Sequence, residues 1–413
     1  MKVKSLLLSM CAIAALASCS QNDDVAPSAS EAAEAKVTIQ LEGDGVNTRA
    51  GSTAPETGAA VSNVTVFFFN ETDFIVGKPQ YVAQGDLAKL GTDGLKTTTD
   101  ATKIVVIANL GNDLTGTTFK NVSSLSQLKK VDFTSIADGA GGTKTVNQNV
   151  TNLYSSGMAG ITMTDNTGHA DVQLHFVAAK IDKVKIDWLA VSTPHYATDE
   201  NDLKATGDKW FFIKQVYLMT AQTNSPLIPA GATTGSWTGG FAPQSYDFAG
   251  GVAWGGGKWN WTDGGITAPV QTADYLVTPI PAVTGDGIAN VLGVDATNKP
   301  WYVFENPEAS GHKTGLVIEV LWKSKDNPTD QDYLTKYFTV YFGEKAVNTS
   351  AQPLIEAGKS YAMTIGLKGD FKPGGNAGGG GDDPTKPTVD AQITVTVKAA
   401  EWDTTGEISK DFQ

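Results

Sequence analysis

Short runs rich in β-branched and aromatic residues, many of them alternating between apolar and polar, recur along this chain. Gly, Asn, Asp and Thr residues separate the runs, which in the first half include Asn63–Phe69, Lys103–Asn109 and Asp171–Phe176. A period of two places successive side chains on opposite faces of a strand, and strands at this spacing are typical of β-sandwiches. The pattern therefore predicts a first all-β domain over residues 50–177.

A second set of such runs predicts another all-β domain over residues 178–413. Its runs are Ala178–Ile186, Trp210–Leu218, Gly315–Trp322, Lys336–Phe342 and Ser360–Leu367. The chain has 413 residues, more than one hydrophobic core usually holds, so two domains are also expected from length. Short helices are predicted only within 114–130 and 134–153, where glycine and β-branched residues limit their length.

One alternating run, Lys36–Glu42, precedes both predicted domains. Its strict alternation places Val37, Ile39 and Leu41 on one face of a half-buried strand. We therefore expect this strand to contribute three apolar side chains to the core of the first domain.

The chain has 31 basic residues, and Arg49 is the one arginine among them. It lies in Gly45–Ser52, a polar segment of mostly small residues. Exposed segments of this kind are preferred sites of proteolysis. The sequence thus predicts cleavage between Arg49 and Ala50 by an arginine-specific protease. A lysine-rich composition that left one arginine by chance is the alternative at this point.

Cleavage after Arg49 would release the strand that carries Val37, Ile39 and Leu41. Exposing three such side chains costs roughly 5–9 kcal/mol, whereas a typical domain has only about 5–15 kcal/mol of net stability. The vacated site would also expose unpaired backbone groups, which favour the addition of another strand. A strand from a second copy of the chain is the expected occupant.

A candidate donor strand lies near the C-terminus, where Ile393, Val395 and Val397 repeat the alternation of the N-terminal strand. The glycine-rich linker 373–387 precedes the tail 388–413 and would let it reach a neighbouring subunit. Alternation does not say which core a strand enters, so this run is equally consistent with the last strand of its own domain. In that case Ile408 and Phe412 are the apolar residues left for a donor.

The N-terminus has the pattern of an export signal that ends in a lipidated cysteine. Lys2 and Lys4 precede an apolar run over Leu6–Leu16, and Ala17, Ser18 and Cys19 follow it. This predicts a signal peptide over 1–18, acylation of Cys19 and a propeptide over 19–49. Because no second apolar run has membrane length, lasting attachment to the outer membrane is expected through the lipid, before cleavage.

Composition and motifs argue against several classes of function. The net charge of −13 disfavours a nucleic-acid partner, which needs a basic face. Beyond Cys19 there is no cysteine, and the four histidines have no metal-ligand spacing. No nucleophile-elbow, phosphate-loop or zinc-protease motif occurs. We therefore expect no enzyme activity, catalytic residue, metal or cofactor.

The tryptophan-rich loop Trp254–Asp263 is the one segment with a composition suited to binding a sugar. Packing against its own domain or a neighbouring subunit is the favoured interpretation. A tip adhesin or surface glycan-binding lipoprotein that uses this loop is an alternative function, and an anchor subunit that keeps its lipid is another. The acidic stretch Asp199–Asp208 lacks the calcium-loop pattern.

In the order of several features along its length, the chain resembles the type V fimbrillin family, represented by the FimA and Mfa pilins. The features are the lipoprotein signal, the Arg49–Ala50 site after a detachable strand, Val64–Phe69, Ile104–Asn109, Ala178–Ile186 and a C-terminal strand ending at Trp402.

The resemblance implies two transthyretin-like Greek-key β-sandwich domains, lipoprotein transport to the outer membrane and cleavage by a gingipain-like arginine protease. It also implies polymerisation of copies of the chain by strand exchange through the C-terminal tail. The expected partners are tip and anchor fimbrial subunits and an unidentified host or bacterial receptor. The expected location is the cell-surface fimbrium.

Overall fold

The computed structural model describes residues 32–43, 61–132, 153–187, 195–205, 207–228, 248–252, 270–281, 288–293, 298–306, 313–342, 354–367, 371–375, 380–385 and 392–399. Strands dominate these ranges, and the few helices are one turn long. The structure confirms the predicted fold class, all-β with two transthyretin-like β-sandwich domains.

Within the described ranges, the first sandwich has eight strands and two short helices. The strands are β1 (Glu34–Gly43), β2 (Asn63–Phe69), β3 (Gln80–Ala83), β4 (Leu95–Thr98), β5 (Lys103–Ala108), β6 (Ser155–Gly160), β7 (Thr162–Thr164) and β8 (Thr167–Phe176). The helices are α1 (Lys89–Thr92) and α2 (Leu125–Leu128), and a 3-10 turn spans Gln84–Asp86.

Strand β8 joins the two halves of this sandwich. The strand order is β3-β2-β5-β6-β8-β1-β4, with β7 also paired to β8. β8 pairs with β1 over Thr167–Leu174 and with β6 only at His175 and Phe176. Inward side chains of β1 and β8 share one buried cluster with those of β2 and β5, so the two halves face each other across a common core.

A second apolar cluster covers the outer face of β2 and β5. Phe67 packs edge-on against Phe119, with 5.0 Å between the ring centroids, and Leu125 and Leu128 of α2 belong to the same cluster. The Ser124 side chain accepts a hydrogen bond of 3.2 Å from the backbone N–H of Gln127 and begins the helix. This confirms the short helix predicted within 114–130, while 134–152 lies outside the described residues.

The second sandwich contains the remaining strands and one helix, α3 (Glu200–Lys204). The strands are β9 (Ala178–Asp187), β10 (Phe211–Met219), β11 (Ala221–Gln222), β12 (Phe248–Gly250), β13 (Val270–Gln271), β14 (Leu276–Val277), β15 (Ile288–Leu292), β16 (Trp301–Phe304), β17 (Gly315–Lys323), β18 (Tyr333–Tyr341), β19 (Lys359–Gly366) and β20 (Gln392–Ala399). Its two main sheets have the orders β14-β10-β17-β18 and β15-β9-β19-β20, and β16 also pairs with β9.

The core of the second sandwich lies between these two sheets. Inward residues of β9, β10, β17, β18 and β19 share one large buried cluster. Burial raises the pKa of the Tyr196 hydroxyl in this cluster to about 12, so it stays neutral at physiological pH. The buried Tyr275 hydroxyl donates a hydrogen bond of 2.8 Å to the backbone carbonyl of Tyr302. These two buried phenol groups are therefore uncharged.

The two sandwiches contact each other through side chains from both halves of the chain. Leu227 and Ile228 of the second half join the outer cluster on β2 and β5. Beside them the Asn224 amide donates a hydrogen bond of 2.8 Å to the Asp132 carboxylate. These contacts hold the first sandwich against the second on the face opposite its own core.

Candidate functional site: the groove that holds the N-terminal strand

Strand β1 lies between two strands that come later in the chain. It pairs in parallel with β8 over eight positions, from Lys36 opposite Thr167 to Gly43 opposite Leu174. On its other side it pairs antiparallel with β4 over four positions, beginning with Glu34 opposite Thr98. We call the site that β1 occupies between β4 and β8 the strand groove. Two-sided pairing makes β1 an internal strand of the sandwich.

The inward side chains of β1 are buried completely. The exposed fraction is 0% for Val37, 2% for Ile39 and 3% for Leu41, and Ala35 is also buried. Val37, Ile39 and Leu41 pack in the same cluster as the inward residues of β2, β5 and β8. The structure thus places the three predicted side chains on one face, in the centre of the first core.

The outward side of β1 makes polar contacts with β8. The Thr38 hydroxyl lies 2.9 Å from His169 Nδ1, and His169 Nε2 lies 3.1 Å from an Asp171 carboxylate oxygen. In the neutral tautomer protonated at Nε2, the ring donates to Asp171 and accepts from Thr38. Gln40 donates a hydrogen bond of 2.8 Å to Glu42 on the same face. Because these groups are exposed, they contribute less to holding β1 than the buried face does.

Two glycines approach β1 so closely that larger residues would collide with it. A Cβ atom at Gly94 would lie 2.7 Å from the carbonyl oxygen of Val37, and the φ of 66° at Gly94 also favours glycine. A Cβ atom at Gly168 would lie 2.9 Å from the Val37 Cγ2 atom. Neither glycine was predicted from the sequence. Gly94 follows α1, and a residue with positive φ just after a helix is commonly glycine. Its contact with β1, however, is not reflected in any pattern of the neighbouring sequence.

A cavity of about 480 Å³ opens beside the first residues of β1. Its lining includes Glu34 and Lys36 of β1, Lys96 of β4, Val76 and Asn166. The lining mixes charged and apolar groups, and β1 itself forms part of the wall. Removal of β1 would therefore join this cavity to the strand groove.

At the other end of the chain, β20 lies at the edge of a sheet in the second sandwich. It pairs antiparallel with β19 over eight positions, from Lys359 opposite Ala399 to Gly366 opposite Gln392. Among the described strands, β19 is its only neighbour. In the single chain, the backbone of the candidate donor Ile393–Val397 thus adds to its own sheet, the arrangement given above as the alternative. Its role as a donor stays a prediction.

Several residues of the predicted site lie outside the described residues: Cys19, Arg49, Ala50, Ile408 and Phe412, together with Trp254–Asp263. Within the described ranges, no group of three or more His, Cys, Asp or Glu side chains could hold a metal ion. No described helix is long and apolar enough to cross a membrane.

Comparison with protein-family models gives two matches, one in each half of the chain. Residues 35–176 match the model for the major fimbrial subunit protein FimA. Residues 272–402 match the model for the C-terminal domain of FimA-like major fimbrial subunit proteins. No curated protein sequence matches the chain significantly.

Solved structures share the fold over nearly the whole chain. A putative cell adhesion protein from Bacteroides eggerthii is 22% identical with a TM-score of 0.56, and the match covers 89% of this chain and 96% of that one. A putative cell adhesion protein from Parabacteroides distasonis is 13% identical with a TM-score of 0.50, covering 89% and 99%. A fimbrilin from Porphyromonas gingivalis is 14% identical with a TM-score of 0.46, covering 88% and 97%.

The two family matches together cover more than half of the 413 residues, in the order in which the two sandwiches occur. The first match begins within β1, so the strand in the groove is part of the family's domain. The chain therefore belongs to the type V fimbrillin family of FimA-like fimbrial subunit proteins.

Proposed function

We propose that this protein is the stalk subunit of a cell-surface fimbrium. In the precursor β1 occupies the strand groove, and in the polymer a strand from a neighbouring subunit occupies it instead. The observation that carries the proposal is the position of β1. β1 comes first among the described strands, its inward face is buried and its backbone is paired on both sides, yet it lies on the N-terminal side of the lone Arg49. One cut after Arg49 would separate it from the rest of the protein.

Loss of β1 would leave the first sandwich incomplete. Removing Val37, Ile39 and Leu41 from the core costs roughly 5–9 kcal/mol, comparable with the whole stability of many domains, about 5–15 kcal/mol. The inner edges of β4 and β8 would also lose their pairing partner. An open apolar groove with two unpaired strand edges is a site for β-strand addition.

The N-terminal signals fit a route by which the precursor stays inactive until it reaches the surface. The precursor is exported as a lipoprotein acylated on Cys19 and is held at the outer membrane by the lipid. An arginine-specific protease then cuts between Arg49 and Ala50. The same cut releases the lipid anchor and β1, so assembly is coupled to delivery.

The strand that fills the groove comes from the C-terminal tail, 388–413, of the next subunit. Its candidate residues are Ile393, Val395 and Val397 in β20, with Ile408 and Phe412 further along the tail. Repetition of this exchange gives a linear polymer of the chain. Tip and anchor subunits complete the fimbrium, which mediates adhesion to a host or bacterial surface.

The cleavage step is tested with substitutions at Arg49. Arg49→Ala should block polymerisation and leave export intact. Arg49→Lys keeps the positive charge but removes the arginine, so it should also block assembly by an arginine-specific protease. Fibres resistant to SDS that form from either variant would contradict the proposal.

The donor is located by deletion. Removing residues 404–413 takes away Ile408 and Phe412 and keeps β20, whereas removing 388–413 takes away both. Loss of assembly only in the longer deletion assigns the donor to β20, and loss in both assigns it to the tail beyond Trp402. Normal assembly of both deletions would refute a C-terminal donor.

A further inference from the structure

The glycine-rich linker predicted over 373–387 starts from a fixed point in the second sandwich. Phe371 lies just before it and is completely buried. Its ring centroid lies 4.5 Å from that of Phe211 and 6.0 Å from that of Phe338. The indole N–H of Trp322 donates a hydrogen bond of 3.2 Å to the Phe371 carbonyl. Phe371 is therefore packed into the core and bonded at its backbone before the linker begins.

Residues 380–385 of the linker, which we call the strap, lie along β18. This strand ends the order of its sheet. Its Tyr337 exchanges two backbone hydrogen bonds of 2.8 Å with Gly381. The Lys336 ammonium donates another, of 2.7 Å, to the Asp382 carboxylate. The strap thus pairs with an edge that would otherwise be open to another strand.

Side chains of β18 also bind the end of the strap. The Thr339 hydroxyl donates a hydrogen bond of 2.7 Å to the Pro384 carbonyl, and the Tyr341 hydroxyl donates one of 2.6 Å to the Thr385 carbonyl. Thr339 is only 1% exposed, so its hydrogen bond is shielded from water. Within the strap, the Asp383 carboxylate accepts a hydrogen bond of 2.9 Å from the backbone N–H of Thr385. The strap is therefore tied to β18 through side chains as well as backbone.

The first glycine of the strap permits close packing. A Cβ atom at Gly380 would lie 2.8 Å from the Phe338 ring and 3.0 Å from the Lys336 Cβ atom. The Phe338 ring is completely buried and packs against Phe371, so it has little room to move away. Glycine at this position lets two segments of backbone approach each other. A linker that served only as a loose tether would not need this contact.

The strap and β20 are bound to opposite sheets. The strap contacts β18, whereas β20 pairs with β19 in the other sheet. Separation of β20 from β19 therefore breaks none of the strap contacts described above. Ile393 follows Thr385 by eight residues. Because an extended chain spans at most about 3.3–3.6 Å per residue, Ile393 can reach about 26–29 Å from Thr385 at most.

We propose that the strap is a clamp which stays on β18 when the C-terminal tail engages a second copy, and that it fixes Thr385 as the point from which the tail departs. The proposal rests on the proposed assembly through the tail and adds the fixed point and the reach. Only residues after Thr385 move. The part of the tail that binds a neighbour must find its site within the length of chain that follows this residue.

A disulfide between the strap and β18 tests the clamp. The chain with Cys11→Ser and Cys19→Ser has no other cysteine, and Tyr337→Cys is combined in it with Gly381→Cys. These two positions are bridged directly, at a Cα separation that suits a disulfide. A Cβ atom at Gly381 would come no closer than 3.7 Å to any atom beyond its chain neighbours. The purified precursor is cut with an arginine-specific protease, and the reduced form of the same variant is the matched control.

We expect the oxidised and reduced forms to assemble at the same rate and to the same extent as the cysteine-free parent. Assembly of the reduced form with loss of assembly in the oxidised form would overturn the clamp, because the strap would then have to leave β18. That result would leave assembly through the tail standing. A cysteine-free parent that does not assemble would contradict the proposed function instead.

Hydrogen exchange in the parent chain decides the same question without a substitution at the strap. The amides of Tyr337 and Gly381 donate the two hydrogen bonds that join the strap to β18. We expect their protection in assembled fibres to match that in the uncut precursor. Exchange that is faster in fibres by roughly tenfold or more would show that the strap opens on assembly, and would overturn the proposal.

Discussion

Substitution of Ile39 tests how β1 stabilises the precursor without changing the subunit that remains after cleavage. Ile39 is 2% exposed in the first core, opposite Ala170. Truncation of a buried isoleucine to alanine costs about 2–5 kcal/mol, because a cavity remains. Ile39→Ala should therefore weaken the seating of β1 by that amount. The removed residue lies upstream of Arg49, so wild-type and variant chains become identical after the cut.

Hydrogen exchange is the suitable assay because all nine tryptophans follow residue 187 and fluorescence would report mainly on the second sandwich. Between Ala170 and Leu174, β8 pairs with β1. If β1 opens independently of the rest of the domain, β8 amides bonded to it should exchange roughly 30-fold to 4,000-fold faster in the variant, since each 1.4 kcal/mol is about tenfold.

Gln40→Ala is the matched control, because Gln40 lies on the outward face of the same strand and bonds only to Glu42 among the contacts described above. We expect it to change stability by no more than about 0.5 kcal/mol. Equal effects of Ile39→Ala and Gln40→Ala on the β8 amides would refute the argument that buried apolar contacts hold β1. Fibres from the two variants should be indistinguishable once cut.

Further predictions concern two loops of the first sandwich. Gly94→Ala should destabilise the precursor by more than Gly77→Ala in urea unfolding, since both glycines have positive φ but only Gly94 approaches Val37. Equal losses would show that the close approach is unimportant. Asn109→Gly retains the positive φ but removes two hydrogen bonds of 2.8 Å, one that the side chain accepts from the Ser62 backbone N–H and one that it donates to the Leu153 carbonyl. It should cost about 1–3 kcal/mol, and an unchanged urea midpoint would contradict this.

The sequence alone predicted the buried face of β1. Strict alternation from Lys36 to Glu42 is a local property, and the period of two identifies Val37, Ile39 and Leu41 as one face. The same reasoning predicted most long strands of both sandwiches, because their β-branched and aromatic residues follow the same period.

The neighbours of β1 could not be predicted in this way. Its parallel partner β8 lies more than a hundred residues further along the chain, and alternation does not encode which strands meet. For the same reason the contact of Gly94 with Val37 was not anticipated. β20 carries the same ambiguity, since its pattern fits both its own sheet and the groove of another subunit.

The domain limits 50–177 and 178–413 stay predictions, although β8 ends at Phe176 and β9 begins at Ala178. β1 lies in the first sandwich, although it precedes residue 50, where that domain is predicted to begin. A domain that begins at Ala50 lacks one of its own internal strands, which is the condition that strand exchange requires.

The measurement that tests the central claim most directly is the N-terminal sequence of subunits taken from assembled fibres, determined by mass spectrometry. The account predicts Ala50 as the first residue, with no peptide that contains Val37, Ile39 and Leu41. Fibre subunits that begin at an acylated Cys19, or that retain β1, would contradict the claim that removal of this strand opens the site for assembly.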